Sequence, residues 1–329
     1  MKRRAFLAQI GAVAISRPRA ALAQQPERTR RIGVLFPSGP NDSESLARVT
    51  ALEQGLQQWG WIVGRNVLVD YRWGAGDSER IRKFAAELIA LGPDVIFASG
   101  GTTVGSLLQA TRAVPIVFVG VFDPVGAGFV DSLARPGGNA TGFMQFEYSV
   151  SGKWLELLKE IVPALKRLAV LRDPAVTAGI GQFAAIQSAA TSLGVDVIPV
   201  NVRERGEIES GLAAFAHSGN GGVIVTANAS SVFHRDLIIT LAARHKLPAV
   251  YYRRLYVESG GLISYGVDII DQHRRAAAYI DRIFKGETAA NLPVQTPTEY
   301  ELVINVKTAK TLGIAIPPTL LARAAAVIE

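Results

Sequence analysis

The polar segment Ser99 to Thr103 has the residue types needed to hold a small anion. It reads Ser-Gly-Gly-Thr-Thr and follows the predicted strand Asp94 to Ala98. Glycine leaves room for a ligand beside the backbone, hydroxyls supply hydrogen-bond donors, and a helix that begins here presents free N–H groups. The segment therefore predicts a carboxylate-binding loop, with plain capping of the helix as the alternative.

Similar polar residues follow other predicted strands. The segment Thr226 to Ser231, which contains Asn228, also precedes a helix. Asp123 stands at a strand end, where it can receive a ligand amine or simply close a turn. Tyr251 and Tyr265 offer ring faces and hydroxyls to a ligand, or else belong to the core. Because open parallel sheets bind ligands at the carboxyl ends of their strands, these side chains predict one shared cleft.

The candidate ligand-binding residues all lie at or just after predicted strand ends. They are Phe36, Ser38, Ser99, Gly100, Gly101, Thr102, Thr103, Phe122, Asp123, Asp173, Thr177, Asn228, Tyr251 and Tyr265. We expect the loop 99–103 to hold a carboxylate, and Asp123 and Asp173 to meet polar or cationic groups. The aromatic residues Phe36, Phe122 and Tyr251 are expected to pack against the apolar part of the ligand. Asn228 is expected to bond to the ligand from the second half of the chain.

Patterns of common catalytic sites are missing from the sequence. It contains no Gly-x-Ser-x-Gly, no Walker loop and no histidine pair at the spacing of a zinc protease. We expect its four histidines at the surface; they are His217, His234, His245 and His273. The sequence thus predicts no catalytic residue, no metal site and no cofactor.

Strands and helices must alternate to position these residues. From Ile32 onward, short apolar runs alternate with amphipathic helical segments, which predicts an α/β fold with parallel sheets. Residues 95–118 and 223–251 share one order of strand, loop, helix and strand, which indicates two copies of one unit. We expect two Rossmann-like lobes joined by a hinge of crossing strands. The first lobe is predicted to comprise 32–143 plus 267–290, and the second 144–266 plus 291–329.

Residues 1–23 have the layout of an export signal. A basic start is followed by a short apolar run and by Ala21-Leu22-Ala23, a small-x-small cleavage site. The pair Arg3-Arg4 also matches the twin-arginine pattern. We expect 24–31 to form a flexible stub on a soluble periplasmic protein; the alternative is a basic N-terminus on a cytoplasmic one. No later segment has the ~20 apolar residues of a membrane span, so no membrane insertion is expected after signal cleavage.

The net charge is explained by this N-terminal segment. The chain of 329 residues has 35 Lys and Arg against 28 Asp and Glu, a formal net charge of +7. Five of the basic residues and no acidic ones lie in 1–23, whereas the part from Ile32 onward has 27 of each sign. The basic pI therefore gives no indication of nucleic acid as a partner. The absence of Cys excludes disulfides, thiolate metal sites and a lipid attached to cysteine.

Five motifs occur in a defined order along the chain. They are Asp123-Pro124-Val125, Arg135 to Gly142, Gly260 to Gly266, Glu301 to Lys310 and Pro317 to Arg323. They resemble the signature stretches of the ABC-transporter substrate-binding protein family that includes the tryptophan-binding TrpX proteins. The resemblance runs from about Ile32 to Glu329. It implies a type I periplasmic-binding-protein fold and a receptor that hands a small solute to a membrane permease driven by a separate ATPase.

The resemblance also bears on the ligand. The loop Ser99 to Thr103 is similar to the family's Gly-Thr loop, which supports its assignment to a carboxylate. Arg172-Asp173-Pro174 departs from the Asn-Pro that the family usually shows, and the added negative charge favours a ligand with an amine or several hydroxyls. We expect an amino acid or an aromatic acid.

Two other functions are compatible with the same cleft. A hydrolase or isomerase would bring titratable groups together within hydrogen-bond reach. A sensory binding protein would act on a partner receptor instead of a permease. No helix-turn-helix precedes Ile32, so a DNA-binding repressor of related fold is not expected.

Overall fold

The first of two β-sheets consists of five parallel strands. The computed structural model describes residues 28–329; the predicted signal 1–23 and residues 24–27 of the predicted stub lie outside these described residues. The strands are β1 (Arg30–Phe36), β2 (Val67–Trp73), β3 (Val95–Ser99), β4 (Ile116–Val121) and β5 (Ala140–Met144). Their spatial order is β2-β1-β3-β4-β5.

The second sheet repeats this order and adds two strands. Its strands are β6 (Arg167–Arg172), β7 (Asp196–Asn201), β8 (Gly221–Val225), β9 (Ala249–Tyr251), β10 (Ile263–Gly266), β11 (Glu301–Asn305) and β12 (Ala326–Ile328). The order is β12-β11-β10-β9-β8-β6-β7, and β11 runs antiparallel to β10. Strands β6 to β10 thus have the arrangement of β1 to β5. The predicted α/β fold with two lobes of parallel sheet is confirmed.

Helices cover both sheets. They are α1 (Ser43–Gln58), α2 (Ser78–Ala90), α3 (Gly101–Ala110), α4 (Val150–Ile161), α5 (Thr177–Leu193), α6 (Arg205–Ala216), α7 (Ala229–Phe233), α8 (Arg235–Arg244), α9 (Arg254–Glu258), α10 (Ile269–Phe284), α11 (Val306–Leu312) and α12 (Pro318–Ala322). Helices α7 and α8 are separated at His234, where the backbone leaves helical geometry (φ −92°, ψ 15°).

Helix α10 returns the tail of the chain to the first lobe. It packs against α1 and β4, and its residues Ala276, Ala277 and Ile280 share a core with Ile32 and Leu52. Helices α2 and α3 pack together over a second core. Right-handed crossovers place these two helix pairs on opposite faces of the sheet. The carboxyl ends of the strands therefore stay free to form one edge of a cleft.

Three segments connect the lobes: 145–149, 267–268 and 296–300. They lie outside the helices and strands, so the expectation that crossing strands form the hinge is wrong in that detail. Leu292 and Val294 pack into the cores of the first lobe. The lobe boundaries remain a prediction, and this packing favours a boundary beyond Gln295 instead of at 291. Among residues 28–329, no helix combines the length and apolar character that a membrane crossing requires.

Candidate functional site

The loop after β3 contains a glycine at a position where the backbone has a positive φ. Gly100 precedes the first residue of α3 with φ +85°, a conformation that side-chain-bearing residues rarely adopt. Its N–H donates to the carbonyl of Val119 (2.8 Å), which ties the loop to β4. Gly101 begins α3, and Thr102 in its first turn is exposed. The backbone N–H groups of this first turn are therefore available at the strand edge.

Thr103 differs from the role predicted for it. Its side chain is fully buried, and its hydroxyl lies within hydrogen-bond distance of the carbonyls of Ser99 (2.9 Å) and Gly100 (2.7 Å). A hydroxyl has one proton, and here that proton is used within the loop. Thr103 therefore neither faces a ligand nor caps the helix, whose N-cap is Gly100 without a side-chain bond, whereas Thr102 is exposed.

Ser99 contacts a histidine that we expected at the surface. The Ser99 hydroxyl lies 3.4 Å from Nε2 of His273, and Nδ1 of that histidine lies 2.7 Å from the carbonyl of Ile269. His273 is fully buried, so the surface expectation is wrong for this residue. Burial lowers the pKa of His273 well below 6.5, and the nearby cations Arg48 and Arg253 lower it further. The imidazole is therefore neutral.

A charged cluster joins the two lobes beside this histidine. Glu44, in the first turn of α1, pairs with Arg48 (3.1 Å) on its own helix and with Arg253, which follows β9 in the second lobe. The two arginines are only 8% and 7% exposed. Desolvation lowers the pKa of each to about 10, although nearby Asp42 opposes this shift. The cluster is thus buried by contact between the lobes.

Aromatic rings stack along the first lobe's edge. Phe36, the last residue of β1, stacks on Trp73 (4.7 Å between ring centroids, 14° between planes) and on His273 (6.0 Å, 6°). Phe36 is fully buried, whereas Trp73 at the end of β2 is half-buried. Trp73 therefore has the exposed face that we predicted for Phe36. Ser38 follows β1 and shares a hydrogen bond between hydroxyls with Ser45.

Asp123 combines a turn with a contact to the hinge. Its Oδ1 accepts from the N–H of Gly126 (2.8 Å), and its Oδ2 accepts from the hydroxyl of Tyr148 (3.3 Å) in a connecting segment. Burial, and then the Asp123 charge, raise the pKa of Tyr148 to about 12. Phe122 is half-buried and packs edge-on against Phe146 (5.1 Å). Asp123 therefore closes a turn, which was one of its two predicted roles, and its carboxylate also lies at the cleft edge.

The second lobe presents Asp173 after β6. This residue is 7% exposed; its Oδ1 accepts from the N–H of Ala175 (3.0 Å) and its Oδ2 from the hydroxyl of Ser230 (3.3 Å). Asn228 is the N-cap of α7, accepting from the N–H of Ser231 (2.7 Å) and donating to the carbonyl of Thr226 (3.1 Å). Most of the hydrogen-bonding capacity of Asn228 is thus used locally.

The two predicted tyrosines occupy different environments. Tyr251 is 1% exposed and stacks on Tyr256 (4.8 Å), so it belongs to the core and differs from its predicted contact with ligand. Tyr265 is half-buried, stacks on Tyr300 (5.5 Å) and accepts from the Trp154 indole through its carbonyl (2.7 Å). Thr177 begins α5, next to the edge that carries Asp173.

Sequence reasoning missed several polar and aromatic residues of this region. They are Glu44, Arg48, Trp73, Tyr148, Arg253 and His273. A signal for His273 was present: Ile269, Gln272, His273, Ala276 and Ile280 follow helical spacing and form the buried face of α10. Residues 28–329 contain no group of three or more His, Asp or Glu side chains arranged to hold a metal ion.

The comparisons with known proteins indicate a family of substrate-binding proteins. A family model described as ABC transporter substrate binding protein matches residues 40–328. The chain is similar to a tyrosine-binding protein of Clostridioides difficile, 25% identical over 259 residues that cover 79% of this chain and 74% of that protein.

Solved structures agree in fold over nearly the whole chain. A conserved domain protein from Vibrio cholerae has a TM-score of 0.85 at 28% identity, covering 91% of this chain and 100% of the other. The ABC domain from Streptococcus pneumonia, crystallised in complex with L-Trp, has a TM-score of 0.84 at 26% identity with the same coverage.

Proposed function

We propose that this chain, which belongs to the ABC transporter substrate-binding protein family, takes an amino acid with an aromatic side chain as its solute. As a member of this family it is the solute receptor of an ABC transporter and delivers a small molecule to a membrane permease. The observation that carries the proposal is that hydrogen-bond acceptors and donors lie together at the strand ends. The carboxylates of Asp123 and Asp173 follow strands of the first and the second lobe, and the N–H groups of the first turn of α3 follow β3.

Such a mixture suits a zwitterion. A ligand ammonium needs acceptors, which the carboxylates supply, and a ligand carboxylate needs donors, which the N–H groups after Gly100 and the exposed hydroxyl of Thr102 supply. The half-buried ring of Trp73 offers an aromatic face for the side chain. A tyrosine-binding relative and a similar structure that holds L-Trp support this choice.

Thermal unfolding and calorimetry test the proposal on the purified protein. L-tryptophan, L-tyrosine, L-phenylalanine, L-leucine and ribose are compared at equal concentrations. A ligand that binds only the folded state stabilises it by about 2.7 kcal/mol at a hundred times its Kd, so an aromatic amino acid should raise the melting temperature clearly. A shift produced by ribose alone would contradict the proposal.

We propose that the cleft binds its solute without turnover. Ser99 and His273 resemble part of a nucleophile–base pair, yet Nδ1 of His273 bonds to the carbonyl of Ile269, which is not an acidic side chain. Without a carboxylate partner, the imidazolium that a base must form is left unsupported in a buried site. Recovery of unchanged ligand after prolonged incubation, measured by NMR, is expected; formation of product would favour the hydrolase or isomerase alternative.

We also propose export to the periplasm. The proposal is supported by the signal-like sequence of 1–23 and by family membership. In cell fractionation, the full chain should appear in the periplasm at a shorter length, and the double substitution Arg3→Lys, Arg4→Lys distinguishes the twin-arginine route from the general one. Full-length protein in the cytoplasm would support the alternative of a basic N-terminus.

A further inference from the structure

The Ser99–His273 pair has a fixed direction of hydrogen bonding. A carbonyl oxygen only accepts, so the contact of 2.7 Å between Nδ1 of His273 and the Ile269 carbonyl requires a proton on Nδ1. Because the ring is neutral, Nε2 then carries no proton and can only accept. The hydroxyl of Ser99, 3.4 Å from Nε2, is therefore the donor of that bond.

This direction decides what Ser99 can offer to a ligand. A serine hydroxyl has one proton and two lone pairs, and the proton points toward His273. What remains on the hydroxyl oxygen is a pair of acceptor sites. A ligand carboxylate has no proton to donate at neutral pH and would meet these lone pairs unfavourably, whereas an ammonium group would donate into them.

The position of Ser99 agrees with a role in the cleft. It ends β3 at the carboxyl edge of the first sheet and is followed by two glycines that leave the edge open. It is only 4% exposed, and Arg253 of the second lobe lies close enough to affect His273. Ser99 therefore lies at the carboxyl edge of the first sheet, in contact with His273.

We propose that His273 is a positioning residue that makes Ser99 an acceptor for the ligand's ammonium group. Ser99 and the loop after it then bind different groups of the ligand. The ammonium lies at Ser99, and the carboxylate lies at the N–H groups of Gly101 and Thr102. This assignment rests on the proposed amino acid ligand, and it reverses the carboxylate role that the sequence pattern predicts for Ser99.

Two ligands that differ in a single group test this assignment. L-tryptophan and 3-(indol-3-yl)propanoate differ only in the amine, and calorimetry gives the Kd of each for the wild type, Ser99→Ala and His273→Phe. In Ser99→Ala we expect binding of L-tryptophan to weaken about tenfold or more, because a hydrogen bond to a charged group is lost, while the propanoate keeps its Kd within about twofold. In His273→Phe the freed hydroxyl can donate, so preference for the amine should fall and affinity for the propanoate should rise.

Nitrogen NMR of the wild-type imidazole supplies a readout that needs no ligand. We expect Nε2 of His273 to show the chemical shift of an unprotonated nitrogen and Nδ1 that of a protonated one. A protonated Nε2, or equal weakening of both ligands in Ser99→Ala, overturns the assignment. Failure of the wild type to bind either L-tryptophan or L-tyrosine instead refutes the proposed ligand class, and the amine assignment falls with it.

Discussion

Glu44 of the first lobe forms an ion pair with Arg253 of the second, and both side chains are nearly shielded from water (12% and 9% exposed). The same carboxylate also holds Arg48 on its own helix. Separation of the lobes would remove this partner from Arg253 and return its charge to water. The pair therefore ties the burial of charge to closure of the cleft.

Substitution of Arg253 should shift the protein toward an open form. In Arg253→Met the closed state keeps Glu44 and Arg48 but loses the bond between lobes. We expect a larger radius of gyration by small-angle X-ray scattering and about tenfold weaker binding of L-tryptophan, mainly through faster dissociation. The neighbouring Arg254→Met is the control, because Arg254 pairs with Glu258 on its own helix (2.7 Å) and both side chains are exposed. Equal effects of the two substitutions would contradict a role for Arg253 in closure.

The close approach of α1 and α10 depends on Gly55. A Cβ added at this position would overlap the carbonyl oxygen of Arg274 and press on Ala277. We expect Gly55→Ala to lower the free energy of unfolding by about 1–3 kcal/mol, measured by urea titration, because a backbone atom cannot turn aside as a side chain can. Gly206→Ala in α6 is the control, since its Cβ meets nothing within 4 Å, and there we expect no loss of stability. A neutral Gly55→Ala would show that the helices separate at little cost.

Acid should destabilise the protein through His273. The folded protein keeps this imidazole neutral with a pKa well below 6.5, whereas the unfolded chain binds a proton near pH 6.5. The unfolded state therefore holds more protons as the pH falls below that value, and stability is lost. The slope approaches about 1.4 kcal/mol per pH unit for one proton. We expect denaturant titrations of the wild type to show this loss between pH 6.5 and 5.

A companion variant separates His273 from other groups. His273→Gln should flatten the slope over that range. A slope that persists in His273→Gln would place the proton uptake elsewhere.

Two substitutions of Asp123 separate its role in the turn from the effect of its negative charge. Asp123→Asn keeps an oxygen for the N–H of Gly126 and tolerates the residue's φ of +39°, but removes the negative charge. We expect the melting temperature without ligand to change little and the Kd for L-tryptophan to rise about tenfold, by calorimetry. Asp123→Ala should in addition destabilise the fold by about 1–2 kcal/mol. An unchanged Kd in Asp123→Asn would show that the Asp123 carboxylate stabilises the turn and does not contact the ligand.

Sequence reasoning predicted the loops of the candidate site better than the environments of their side chains. Loops after β3, β4, β6 and β8 are at the cleft edge as expected, because strand direction in a parallel sheet sends every carboxyl end to one side. The choice among polar and aromatic side chains was less accurate. Tyr251 and Thr103 have suitable chemistry, but one stacks in the core and the other bonds to its own loop. The residue type determines which interactions a side chain can form, but it does not determine the direction in which the side chain points.

The sequence by itself determined the alternation of strands and helices, the presence of two similar units and the family motifs. All of these depend on patterns within short segments, since burial periodicity and turn residues act locally. Only the tertiary structure decided that His273 meets Ser99, 174 residues away, and that Arg253 meets Glu44. Both contacts depend on how the tail returns to the first lobe and how the lobes face each other. Local patterns indicate which face of α10 is buried, but the partner on that face comes from a distant part of the chain.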